Sequence, residues 1–142
     1  MLPPPVEPLG EYVTGVRVGD LVFFGGHGPL RKDGKPSHRG RLGVDFDVDQ
    51  VAEIAIGATL NVLASAHKLI GDLDSIEQLI KGDAFVACGH DASDSGSACK
   101  PAVTLLRELF GRSPVVSVVP VVSLPNNVPV LIELLVKVRG NS

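Results

Sequence analysis

The hydrophobic pattern of this chain changes period several times, and each change marks an element. From Val115 to Pro125 and again from Val128 to Val138 nearly every residue is aliphatic, and Leu124-Pro125-Asn126-Asn127 between the runs has the Pro and Asn chemistry of a tight connection. The two runs read as adjacent strands. Their continuous hydrophobicity predicts burial on both faces, which demands cover from other elements or other subunits. Upstream, Tyr12 to Val18 alternates at period two, breaks at Gly19-Asp20 and resumes over Leu21 to Phe24, the pattern of a β-hairpin. Gly25-Gly26-His27-Gly28-Pro29 is a glycine-rich exit from that hairpin, where backbone can approach a ligand or a neighbouring chain. Arg31 to Gly43 is polar and reads as a mobile loop.

Val51, Ile54, Ala55, Ala58, Val62 and Ala66 recur at helical spacing, so a long helix is expected from about Asp49 to Ile70, capped by Asp47 or Asp49 and closed by Gly71. Its small residues suit close packing on a sheet. Asp72-Leu73-Asp74 starts a short helical turn, and Leu79 to Ala87 reads as a strand with a bulge at Gly82. Cys88 to Ser97 is small and polar, a loop. A second helix is expected from Lys100 to Phe110, with Pro101 in its first turn and Gly111 at its end. Leu2 to Leu9 holds four prolines and reads as an extended arm. Strand, strand, helix, strand, helix, strand, strand predicts an α+β sandwich, one mixed sheet with two helices on one face. The other sheet face is left apolar, and oligomerisation would cover it.

Composition narrows the functional classes. At 142 residues the chain suits one domain, residues 1–142 with the arm over 1–9. Aromatic residues are 4% of the chain, Trp is absent and the net charge is -3, a poor match to the basic, base-stacking surface of a nucleic-acid binder. Only Arg31 to Arg41 is locally basic. Two cysteines, no secretory leader and no uninterrupted apolar run of membrane length point to the reducing cytosol and away from a membrane. Cys88, His90, Asp91, Asp94 and Cys99 lie near one another in sequence, but their spacing fits no structural zinc pattern, and neither metal nor cofactor is expected. Gly25-Gly26-His27-Gly28 is no phosphate loop, since no Lys-Ser/Thr pair or helix follows it.

Several motifs then converge on a family. Leu2-Pro3-Pro4-Pro5, Gly10-Glu11-Tyr12-Val13, Val18-Gly19-Asp20-Leu21-Val22-Phe23, Gly26-His27-Gly28-Pro29, Gly40-Arg41-Leu42-Gly43, Leu60-Asn61-Val62-Leu63-Ala64, Gly71-Asp72-Leu73-Asp74, Phe85-Val86, Phe110-Gly111 and Leu124-Pro125 together resemble the reactive intermediate deaminase family, RidA/YjgF. The resemblance spans almost the whole chain. It implies a chorismate-mutase-like fold and a homotrimer with its sheets packed centrally, its helices outside and its ligand clefts between subunits. Active members of that family bind a substrate carboxylate through an arginine that precedes a serine, and counting back from Leu124-Pro125 its place here is Val116, followed by Ser117. The family's water-placing glutamate falls two positions before Glu133, at Leu131. Valine offers no charged clamp and leucine cannot orient water, so the resemblance implies a remodelled, more apolar cleft rather than ordinary 2-aminoacrylate or 2-imino acid deamination.

The residues available for chemistry are few. His27 stands where the family has glutamine, at the cleft mouth; an imidazole there could act as general acid or base, or simply replace the glutamine's hydrogen bond. Tyr12, the single tyrosine, matches a cleft tyrosine, or packs as a strand-end aromatic. Glu133 sits in an apolar strand, where a carboxylate serves either acid/base chemistry or an ion pair between subunits. Arg112 could supply the missing cation or serve the helix dipole. Lys100 lies close to a helix start, and Gly25, Gly26, Val116, Val118, Pro125 and Leu131 would complete a substrate-binding wall. The expected activity is acid/base chemistry (hydrolysis, deamination, or isomerisation and cyclisation) on a small carbonyl, imine or enamine-like metabolite. The alternative is a non-catalytic trimer that binds a ligand or a protein partner.

Overall fold

The computed structural model describes residues 2–8 and 13–140. Strands β1 (Gly15–Val18) and β2 (Leu21–His27) form the expected antiparallel hairpin, and Gly19 at φ 61° provides the left-handed residue its turn requires. Helix α1 (Val48–Ile70) starts where its side chains satisfy the free N–H groups of its first turn. Gln50 N–H donates to Asp47 Oδ1 at 2.8 Å, and Asp47 N–H donates to Gln50 Oε1 at 2.9 Å, a reciprocal capping box. Val51, Ala55, Ala58 and Val62 are fully buried along its inner face, and Gly71 ends it at φ 94°.

A 3-10 turn at Leu73–Ser75 leads into β3 (Ile76–Ala87), which begins three residues earlier than the apolar run predicts. Ile76 is buried and pairs with Val138, so the strand extends as far as its partner does. The ladder irregularities fall between Ile76 and Gln78 and between Leu79 and Lys81. The bulge predicted at Gly82 is therefore corrected: Gly82 pairs regularly with Leu134 and Val116.

Helix α2 covers Ser95–Phe110, not Lys100–Phe110. Pro101 is thus inside the helix rather than in its first turn, despite the lost hydrogen bond that a proline imposes there. Burial explains the outcome. Ser95, Ala98, Cys99, Ala102 and Leu106 form one stripe packed into the core, and the first two turns are needed to complete it.

The C-terminal ribbon holds the largest departure. Its runs form β4 (Val115–Val121) and β5 (Val130–Val138), but the sheet order is β1-β2-β5-β3-β4, so β3 lies between them. The chain crosses from β3 through α2 to a parallel β4, then returns antiparallel on the other side of β3. Leu124 to Asn127 is accordingly no hairpin turn. It contains a 3-10 turn in which Asn126 and Asn127 take φ of 58° and 56°, and asparagine tolerates that left-handed backbone. Burial on both faces also fails for β4, an edge strand whose Val115 is 63% exposed. An edge suits Pro120, which has no N–H to offer a further strand.

Both helices pack on one sheet face, as expected. The even-numbered residues of β5, from Val130 to Val138, point into that core, and Leu131, Glu133 and Leu135 point the other way. The loop after β2 is held down by Gly40 N–H on Asn127 O (2.9 Å) and Leu42 N–H on Ala87 O (2.8 Å). No helix among the described residues is long and apolar enough to cross a membrane. Replacing Asp47 by Ala removes one half of the capping box, and the urea unfolding midpoint should fall by the equivalent of about 1 kcal/mol with the m-value unchanged.

Candidate functional site

The glycine-rich exit from β2 creates the site. Phe24 pairs with Leu134 and His27 with Ile132, so three steps along β2 match two along β5: one residue is inserted, a β-bulge at Gly25-Gly26. That insertion reverses the alternation, and His27 turns to the helix side of the sheet instead of the open side. The glycines also let the backbone lie close to β5. A Cβ on Gly26 would sit 3.4 Å from Leu131 Cδ1, and one on Gly28 would sit 3.3 Å from Leu131 Cδ2.

Beside the bulge is a groove of about 320 Å³ in which Gly25, Gly26 and His27 meet Pro125, Leu131 and Glu133. The arm closes one side with Val6, Glu7 and Pro8. Six predicted site residues are thus brought together from two distant parts of the chain. The others are not. Val116 and Val118 are on β4, at the far edge of the sheet, Lys100 is exposed on α2, and Arg112 is exposed just after that helix. Tyr12 lies outside the described residues.

His27 is 6% exposed, and both of its ring nitrogens are engaged. Nδ1 lies 2.6 Å from the Gly25 carbonyl, which can only accept, so Nδ1 carries the hydrogen. Nε2 is 2.7 Å from Ser65 Oγ on α1 and accepts the serine hydroxyl when the ring is neutral. Burial lowers the His27 pKa from its ordinary value of 6.5, against a smaller raising effect of the Gly25 hydrogen bond. The ring is therefore a neutral tie between the bulge and α1.

Glu133 is the other ionisable group predicted here, and its setting is different. Directly across the ladder stands Asp83, a like-charged neighbour. Lys81 Nζ lies 3.5 Å from Asp83 Oδ1, while Glu133 has no salt bridge among the described residues. Glu7, at the rim, is taken up by Lys68 at 3.0 Å. Sequence reasoning missed Asp83, Lys81, Ser65 and Glu7. For Asp83 the signal exists only in the β3–β5 register, which no local pattern specifies. Cys99 is buried and its thiol is pushed up to about 11, by burial first and by Cys88 second, so it stays protonated. Among the described residues no three His, Cys, Asp or Glu side chains gather to hold a metal.

No family model matches the chain. Solved structures do. A candidate endoribonuclease from Shewanella oneidensis MR-1 superposes with a TM-score of 0.91 at 26% identity, over 97% of this chain and 92% of that one. A protein of unknown function from Agrobacterium tumefaciens gives 0.84 at 29% identity, over 92% and 84% of the two chains. The YjgF gene product of E. coli gives 0.69 at 24% identity, over 95% and 94%. By sequence, Protein TCP17 of Trypanosoma cruzi is 25% identical over 111 residues, 78% of this chain and 69% of that protein. The architecture is the α+β chorismate-mutase-like class, two helices on a five-stranded mixed sheet. Within that class, the chain has the RidA/YjgF fold.

The neutral His27 carries a pH signature. Its folded pKa lies below the unfolded value, so its contribution to stability is full above about pH 6.5 and is lost as pH falls toward the folded pKa. In His27→Gln the change in unfolding midpoint between about pH 7.5 and about pH 5 should be smaller than in the wild type. An unchanged difference would assign the pH dependence to other groups.

Proposed function

We propose that this chain is a small-molecule enzyme of the RidA-like kind, acting by acid/base chemistry on a neutral or weakly charged carbonyl, imine or enamine-like metabolite. The groove beside the Gly25-Gly26 bulge would be half of the active cleft. A neighbouring copy in a homotrimer would supply the other half, bringing its β4 edge with Val116 and Val118, and Arg112 at its base. The open sheet face supports this assembly: Phe23 on β2 is 47% exposed and Val119 on β4 38%, apolar side chains that water alone does not favour.

The observation that carries the chemical reading is the state of the two ionisable groups. His27 has both nitrogens committed, whereas Glu133 faces the groove without a salt bridge among the described residues and opposite another carboxylate. Glu133 is therefore the proposed proton-transfer group, and His27 a positioning residue that holds the bulge. Leu131, Pro125 and Val128 line the groove together with Thr14, Asn126 and a second carboxylate, Glu7. Two carboxylates without a lysine or arginine among the described lining residues favour a substrate without its own carboxylate. Val116 at the position of the family's carboxylate-binding arginine agrees with that preference. A site in the cytosol is part of the same reading.

Sedimentation analysis and turnover assays test it together. The protein should sediment as a trimer and hydrolyse neutral imines in preference to 2-iminopropionate. Glu133→Gln should reduce turnover at least about 100-fold, the ordinary value of a positioned acid/base. His27→Gln should retain most of the rate while changing the pH profile of stability. Rapid turnover of 2-iminopropionate would overturn the substrate class, and full activity in Glu133→Gln would overturn the role of that residue. A trimer inactive on every imine would favour the non-catalytic scaffold.

A further inference from the structure

A second cavity, of about 600 Å³, opens on the outer side of α1. Leu2 and Pro3 of the arm form one wall, and the loop carrying Pro29, His38 and Phe46 forms another. Among the described residues, Leu30 alone is shared with the groove at Glu133.

Three features suit this cavity to a ligand. The first is Asn61, which is 4% exposed. Its Nδ2 donates to the Gly28 carbonyl at 2.9 Å, which fixes the amide and leaves Oδ1 with no protein partner among the described residues. Asn61 lines the cavity, and with Nδ2 committed to the loop, Oδ1 is its polar atom available to a ligand there. The second is Gly57, in the middle of α1, where glycine is destabilising relative to alanine. A Cβ there would meet nothing within 4 Å, so neither packing nor a left-handed backbone requires glycine. What it provides is depth. Glu53, Gly57 and Asn61 follow one another at four-residue steps, which stacks them along one side of the helix with the gap in the middle.

The third feature is the sign of the polar groups. Glu53 has no salt bridge among the described residues. Ser37 Oγ donates to the Pro29 carbonyl at 3.0 Å and so accepts from His38 Nδ1 at 2.8 Å, which leaves Nε2 of a neutral His38 as an acceptor. Phe46 holds that ring edge-on, with centroids 5.8 Å apart. Glu53, Asn61 Oδ1 and, in the neutral ring, His38 Nε2 accept hydrogen bonds; Gln50, whose Oε1 is taken by Asp47 N–H, adds one amide donor, and Ile54 and Leu60 are apolar. Glu53 and Asn61 are two helical turns apart, about 12 Å along the axis.

We infer that this cavity binds a small aliphatic diamine, with one ammonium group at Glu53, the hydrocarbon chain over Gly57 and the other end at Asn61 Oδ1. The site is independent of the proposed chemistry at Glu133.

Titration of 15N-labelled protein with pentane-1,5-diamine, followed by amide chemical shifts, tests the inference. Shifts should concentrate on residues 50–61 and 37–46, pentylamine should bind more weakly, and valerate should not bind. Glu53→Gln should weaken the diamine at least about tenfold, the consequence of losing a charge-assisted bond. Gly57→Leu should abolish the shifts while circular dichroism and melting stay at wild-type values. Should the larger side chain unfold the helix, Gly57→Ala, which favours helix, should still weaken binding. Glu133→Gln should leave the titration unchanged. Absence of shifts at millimolar diamine, equal binding of valerate, shifts centred on the Glu133 groove, or unaltered binding in both Gly57 variants would each overturn the inference.

Discussion

Strand β5 lies between β2 and β3, and the two-residue alternation of its side chains governs what both sides of the sheet can do. Val130, Ile132, Leu134, Val136 and Val138 are buried against the helices, which leaves no freedom in where the intervening residues point. A slip of one residue would bury Glu133 and expose the core set. Glu133 therefore faces the open side as a consequence of core packing. The position of the proposed acid/base group is set by aliphatic residues that never touch a substrate.

The bulge in β2 works against that regularity at one point. Its extra residue directs His27 inward, where Ser65 and the Gly25 carbonyl hold the ring, while Glu133 remains on the open side. Two ionisable groups at one groove thus have opposite environments. Burial keeps the histidine neutral, and its hydrogen bonds tie β2 to α1. The carboxylate stands across the ladder from a like-charged neighbour, Asp83. Lys81 is placed on Asp83, and Glu133 has no salt bridge among the described residues.

The open sheet face and the edge strand β4 belong to the same physical problem. Helices satisfy one face, and nothing among the described residues covers Phe23, Val115 or Val119. In the proposed trimer these side chains are covered by neighbouring copies, and the cleft gains the residues that one chain keeps apart. The cavity on the outer side of α1 asks nothing of a neighbour: its polar groups and its glycine come from a single chain.

Much of the fold was legible in the sequence, because helix and hairpin signals are local. Asp47 and Gly71 delimit α1, Gly19-Asp20 marks the first turn, and the period-two and period-3.6 patterns separate strands from helices. The start of α2 was not legible, since the burial of Ser95, Ala98 and Cys99 outweighs the signal of Pro101. The ribbon was read as two neighbouring strands because an apolar run specifies that a strand is formed, not which strand it pairs with. Of the candidate site, the sequence by itself determined the residue types: glycines after β2, a histidine, and a lone glutamate in an aliphatic run. Only the tertiary structure decided that the histidine turns inward, that Asp83 stands opposite Glu133, and that Val116 is at the other edge. Those outcomes depend on register and on a one-residue insertion, which are settled by the packing of segments distant in the chain.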